Sequence, residues 1–294
     1  MAPHRDCPDQ EPVKDSNVVV EELTFFYSGA KEPALSDINL TFQRGEIALL
    51  IGATGAGKST LYMCLNGLIP HLVPGRVGGR VLIEGTATSD QSISALAQKV
   101  GFVFQSPDVQ LFSHTVREEL AFGPENLGLA KSEILRRIQL AATTIGITEL
   151  LEREPAYLSG GQQQSVAIGA IWAMLPEILI LDEPTSNLDP QSSRRVLELI
   201  RALNTEHGKT ILIAEHKIDA AAHFADSVLV MHEGRIEMQG EPRQVFSQAE
   251  ELHRMGLVAP TAAEVAFQLS KYGYTFDSWP LTAEEGIQAF GELL

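Results

Sequence analysis

The sequence predicts an α/β protein: a parallel sheet at the core, an amino-terminal antiparallel β subdomain, a helical insert and a small helical carboxyl-terminal appendage. Three observations carry this reading. The runs "EIALLI", "EILILDE", "KTILIAEH" and "DSVLVMHEG" are strand-length and almost continuously apolar, as strands covered on both faces must be. The last three alternate with helical stretches, "DPQSSRRVLELIRALN" and "IDAAAHF", which is the order of a parallel sheet with crossover helices. From about residue 107 to 175 the texture turns helical throughout, so an insert divides the sheet's strands in sequence.

Taken in order, residues 1–17, "MAPHRDCPDQEPVKDSN", are polar and punctuated by proline, with no apolar core of a signal peptide; they read as a flexible tail. Residues 18–51 contain "VVVEELTFFY", "INLTF" and "EIALLI", short apolar stretches bounded by glycine, proline or charge, and so strands. A Gly-rich turn leads into the helix "KSTLYMCLNGLI", followed by the strands "GRVLIEG" and "KVGFVF". The insert's helices, "TVREELAFG", "KSEILRRIQLAATTIG" and "GGQQQSVAIGAIWAML", carry apolar residues three and four apart. Beyond residue 240, "EPRQVFSQAEELHRMG", "TAAEVAFQLSKYG" and "TAEEGIQAFGELL" are amphipathic helices. The expected division is therefore 18–245 for the main domain and 246–294 for the appendage.

Composition narrows the function. Lys and Arg number 22 against 38 Asp and Glu, and the formal charge of -16 repels nucleic-acid phosphates and anionic lipid heads alike. This argues against a DNA or RNA partner. The apolar runs fall far short of the ~20 residues of a transmembrane helix, so any membrane role runs through a partner. The expected location is cytosolic. Cys7 and Cys64 support neither a disulfide framework nor a metal site and read as free thiols.

The strongest chemical signal is "GATGAGKS", which fits G-x-x-x-x-G-K-[ST] between an apolar strand and a helix. Gly52, Gly55 and Gly57 let the backbone, with Ala53, Thr54 and Ala56, wrap phosphates; Lys58 offers a point charge, and Ser59, ahead of Thr60, places a hydroxyl on Mg²⁺. Asp182 and Glu183 end a strand at the carboxyl edge of the sheet, where open α/β folds bind ligands. Asp182 is expected to hold Mg²⁺, directly or through water, and Glu183 to take a proton from an attacking water. His216, which follows "TILIA" and Glu215 at a strand end, is read as a contact to the terminal phosphate; Gln105, at the end of "VGFVF", reaches metal or water. Tyr27, closing "LTFFY" before a Gly turn, is placed to stack on a base. One stretch remains over: "LSGGQ", residues 158–162, starts a helix with bare backbone that suits a second anion.

These motifs, in this order, resemble the nucleotide-binding subunits of ABC transporters over about residues 18–245, with LSGGQ as the family's signature and "SNLD" at 186–189. The resemblance implies ATP and Mg²⁺ as ligands and a head-to-tail pair of ATPases, identical or related. Ser159, Gly160, Gly161 and Gln162 of each would face the γ-phosphate on the partner's phosphate loop. It further implies that Asp189, in the loop crossing the dimer axis, couples the two sites. "GLIPHLVPGRVGGRVLIEG", "FVFQSPDVQLFSHTVREELAFGPENLGL", "AEHKID" and the carboxyl-terminal "MGLVAPTAAEVAFQLSKYG" are similar to the ATPases of energy-coupling factor transporters, which take up vitamins or nickel and cobalt ions. By that likeness, Gln105 and "SPDVQLF" border a groove for a coupling helix of a transmembrane subunit, a second membrane subunit binds the substrate, and the carboxyl-terminal segment helps hold the ATPase pair. The expected location is then the cytoplasmic face of the membrane, peripheral. Two positions depart from the family: Ser165 stands where arginine is usual, and Gly169 where alanine is common. Alternative readings are the ATPase of another ABC transporter class, a non-transport ABC ATPase acting on nucleic acid or ribosomes, and a binding module that closes without turnover.

Overall fold

The computed structural model describes residues 16–291. Cys7 and all but the last two residues of the expected tail lie outside the described residues. Those last two belong to the first strand, β1 (Ser16–Tyr27), where buried Asn17 donates from Nδ2 to Thr210 Oγ1 at 2.7 Å.

The chain then runs through β2 (Leu35–Gln43), β3 (Ile47–Ile51), α1 (Lys58–Leu65), α2 (Leu68–His71), β4 (Gly75–Ile83), β5 (Thr86–Ala87), α3 (Ile93–Lys99) and β6 (Val100–Val103). The insert's helices are α4 (Val116–Asn126), α5 (Lys131–Ile145) and α6 (Gly160–Trp172). There follow β7 (Ile178–Asp182), α7 (Pro190–His207), β8 (Thr210–Ala214), α8 (Ile218–Ala221), β9 (Ser227–His232) and β10 (Arg235–Gly240). The appendage consists of α9 (Pro242–Phe246), α10 (Ala249–Arg254), α11 (Thr261–Ser270) and α12 (Ala283–Gly291).

Two sheets form. The first is antiparallel, in the order β2-β1-β4-β5. The second has the order β10-β9-β3-β8-β7-β6, parallel from β9 to β6 with β10 antiparallel at one edge. Its central strands β3 and β8 are buried at every position. Side chains split by parity: Ile47, Leu49, Ile51, Leu179, Leu181, Ile211 and Ile213 join a core with the insert, α7 and the appendage. Ala48, Leu50, Ile178, Ile180, Leu212 and Ala214 join a second core with the antiparallel sheet and α1. A covered parallel sheet needs this arrangement, since successive residues point to opposite faces.

Four features differ from the sequence reading. The helix after the Gly-rich turn ends at Leu65 because Gly67 takes a left-handed φ of 79°, with α2 following as a separate piece. β10 escapes the apolar criterion because it is an edge strand of alternately exposed residues. α3 is only seven residues long, too short to declare a helical period. Finally, "EPRQVFSQAEELHRMG" forms two short helices, α9 and α10.

Candidate active site

Strand β3 delivers the chain to the phosphate loop. A Cβ at Gly52 would stand 2.5 Å from the Met231 carbonyl oxygen, so only glycine lets the loop leave the sheet here. Gly55 and Gly57 take φ of 82° and 108°, the left-handed region that glycine enters without a side-chain clash. Lys58 is buried, and its Nζ donates to the carbonyls of Gly52 at 2.7 Å and Ala53 at 3.2 Å, across the loop it closes. Burial lowers the Lys58 ammonium below its usual range, opposed by the nearby carboxylates of Glu183 and Asp182.

Parallel pairing of β6, β7 and β8 brings the other motifs to the same edge. Ser59 Oγ donates to Asp182 Oδ2 at 3.3 Å. Burial holds the Asp182 carboxyl above the usual carboxylate range, with Glu183 adding to the effect and Ser59, Lys58 and His216 opposing it. Glu183 is gripped from both sides. Gln105 Nε2 donates to its Oε2 at 2.6 Å, and His216 Nε2 lies 2.8 Å from its Oε1. Its backbone is left-handed, φ 47°, an uncommon conformation for a residue with a Cβ; its N–H is tied to Ala214 O at 3.0 Å.

Tyr27, Thr54, Gly55, Gly57, Lys58, Ser59, Thr60, Gln105, Asp182 and Glu183 all line one cleft of about 740 Å³. Tyr27, 37% exposed, stands edge-on to Phe25 and shares a 2.9 Å hydrogen bond between its hydroxyl and Thr60 Oγ1. Such a cleft brings together an aromatic ring, the phosphate loop with its ammonium, and paired carboxylates.

The signature residues are elsewhere. Ser159 caps α6 through a reciprocal pair: its N–H donates to Gln162 Oε1 at 3.0 Å, and its Oγ accepts from Gln162 N–H at 3.4 Å. Ser159, Gly160 and Gln162 are exposed, and neither they, Gly161 nor Asp189 line the cleft. Asp189 caps α7, accepting from Gln191 and Ser192 N–H at 2.9 and 3.0 Å, and these hydrogen bonds, Ser192's foremost, hold its carboxyl below the usual range. The two helix starts touch: a Cβ at Gly161 would meet Ser192 Oγ at 2.7 Å.

Both departures at α6 have local accounts. Ser165 Oγ donates back to Gly161 O at 3.0 Å, and a Cβ at Gly169 would press on Ile147 Cδ1 at 3.1 Å. Cys64 is buried, and burial pushes its thiol up to about 12, which leaves it unreactive.

Three polar residues here carry no individual role in the sequence reading. Gln110 accepts from Phe104 N–H at 3.2 Å and donates to Ala167 O at 3.1 Å, joining the strand end beside Gln105 to the signature helix. Glu215 accepts from Thr185 N–H, and Lys217 Nζ donates to Thr185 O and Leu188 O. The only sequence signal for the last two was a charge on each side of His216 in "EHK".

Residues 35–186, about half of the chain, match the family described as ABC transporter. The chain belongs to the ABC transporter ATP-binding family. A protein of Pyrococcus horikoshii named as an ABC transporter ATP-binding protein is 43% identical over 92% of this chain and 96% of its own length. A similarly named protein of Methanosarcina acetivorans is 45% identical, but this chain spans only 42% of it. Among solved structures, cbiO1 from Clostridium perfringens, part of the ABC transporter complex cbiONQ, matches at 37% identity with a TM-score of 0.73. The match covers 86% of this chain and 99% of that one. The ATP-binding cassette MJ0796, dimeric and bound to ADP and Pi, matches at 28% identity and a TM-score of 0.66, over 77% of this chain and 99% of that one. This chain is thus an ABC ATPase, which binds and hydrolyses ATP. No described helix is long and apolar enough to cross a membrane.

Proposed function

We propose that this ABC ATPase is the motor of an energy-coupling factor type importer, closing head to tail on ATP with an identical or related subunit and driving uptake of a micronutrient, a vitamin or transition-metal ion. The observation that carries the reading is the separation of the two anion-binding helix starts. The phosphate loop lines the cleft with Glu183, while the exposed Ser159 start does not. One chain then supplies half of each working pocket, and ATP becomes the adhesive between two.

In this reading Gly52 to Thr60 hold the phosphates and Tyr27 stacks on the base. Ser59 and Asp182 offer hard oxygen donors within 3.3 Å of each other, and Gln105 keeps its amide oxygen free, a set that fits Mg²⁺. Held by these groups, such an ion would supply positive charge against the phosphates. Closure excludes bulk water, Glu183 takes a proton from the attacking water, and His216 and Gln105 hold that carboxylate in place. The partner's Ser159–Gln162 start supplies N–H groups to the γ-phosphate; hydrolysis removes those contacts and the pair reopens.

The likeness to cbiO1 supports the energy-coupling factor assignment. Exposed Phe104, Val109 and Phe112, on either side of Gln105 in the sequence, support a groove there for a coupling helix of the transmembrane subunit. Residues 18–245 would form the ATPase proper, and 246–294 a segment that holds the pair, with α12 presenting exposed Ile287. The site of action is the cytoplasmic face of the membrane, reached through those subunits and a substrate-binding membrane subunit.

Glu183→Gln tests the reading. The variant is expected to bind ATP, to become dimeric in ATP by light scattering, and to lose phosphate release by about 100-fold or more. A monomeric sample that turns over at full rate, indifferent to Ser159→Ala, overturns it. Membrane proteins that co-purify with the chain identify the substrate.

A further inference from the structure

The exit of β8 carries a charge on each side of His216. Glu215, 3% exposed, accepts from the Thr185 N–H at 3.0 Å. Lys217 Nζ donates to Thr185 O at 2.9 Å, Leu188 O at 2.9 Å and Ser193 Oγ at 3.3 Å. These partners bracket Asp189, so the segment that carries it is gripped on both sides.

The grip is on backbone as much as on side chains, and an ionised donor makes shorter and stronger hydrogen bonds than a neutral one. Movement of residues 215–217 must therefore carry Thr185 and Leu188 with it or break the bonds. The same segment supports the signature start, since a Cβ at Gly160 would lie 3.5 Å from Leu188 Cδ2, and Gly161 faces Ser192. His216 itself contacts Glu183, two residues before Thr185.

We propose that Glu215 and Lys217 are positioning residues that lash His216 to segment 185–193, so that a displacement of His216 in one ATP site is carried to Asp189 and the signature start, which serve the other. This rests on the two-chain reading above. It adds a physical route between sites: a packed loop held at one end beside Glu183 and at the other against the signature start.

The test is the ATP dependence of hydrolysis by the purified full chain, carrying Lys217→Met, Lys217→Arg or Ser193→Ala, with affinity for a fluorescent ATP analogue measured in parallel. Methionine keeps the stem and removes all three donors; arginine keeps donors. Lys217→Met is expected to bind nucleotide within about two-fold of wild type, lose about ten-fold in kcat and drop from a Hill coefficient of about 2 toward 1. Lys217→Arg recovers most of both, and Ser193→Ala falls between. Unchanged cooperativity in Lys217→Met overturns the proposal, as does equal loss in the arginine and methionine variants with affinity falling in step. If Lys217→Met does not fold by circular dichroism, Ser193→Ala with unaltered cooperativity overturns it alone. A wild-type chain without cooperativity or ATP-driven dimerisation overturns the two-chain reading itself, and is recognised before any variant is compared.

Discussion

At Gly52 an added methyl would meet a carbonyl oxygen of the neighbouring strand's end, a backbone atom that cannot swing aside. Gly52→Ala is expected to cost roughly 2–4 kcal/mol in denaturant unfolding and to weaken nucleotide binding. Gly169 is a different case. Its contact is the far end of the Ile147 side chain, which can give, and alanine gains about 1 kcal/mol of helix propensity. Gly169→Ala should therefore stay within about 1 kcal/mol of wild type. Glu215 offers a pH test. Burial raises its carboxyl above the ordinary value of 4.5, opposed by its hydrogen bonds from Thr185 and Lys217, with Glu183 adding to the rise. The folded protein thus binds that proton more readily than the unfolded chain, and the charge weakens the fold above the raised value. Glu215→Gln keeps an acceptor for Thr185 and removes the charge. Its melting temperature should exceed wild type at pH 7.5, the gain shrinking as pH falls through the raised value and vanishing below the ordinary one; a gain that grows on acidification contradicts this.

Helix α6 begins with a reciprocal cap, and Ser159→Ala should cost about 1 kcal/mol of stability in urea unfolding. A much larger loss of hydrolysis than that weakening explains would place Ser159 at the γ-phosphate. Elements buried on both faces were legible in the sequence: β3, β7 and β8 are nearly pure apolar runs, and the phosphate loop and Asp182–Glu183 follow them directly. Legibility failed where the signal depends on pairing. β10 alternates like any edge strand, and the break at Gly67 follows from a left-handed backbone that spacing does not reveal. The contact of Gln105 and His216 with Glu183 needs β6, β7 and β8 to be neighbours in register, an order no local pattern encodes. Lys217 was missed for the same reason: its partners lie 24 to 32 positions away.

The appendage shares the insert's core. Val245, Phe246, Leu252, Ala259, Ala263 and Leu281 are buried in the same cluster as Trp172, Leu179 and Ile200, and Asp219 of α8 accepts from the Thr261 N–H at 2.6 Å. Deleting residues 247–294 exposes that face and should lower the melting temperature by roughly 5 °C or more in calorimetry; an unchanged melting point would mean that the segment folds apart. The parity of the central sheet sets a stricter demand. In β7, Leu179 and Leu181 turn one way, Ile178 and Ile180 the other, and Asp182 comes next in that alternation. Inserting a single amino acid before Leu181 would rotate every later side chain by half a turn. The carboxylate that meets Ser59 would then be aimed into greasy interior, so this short ribbon tolerates exchange of its letters but no change in their count.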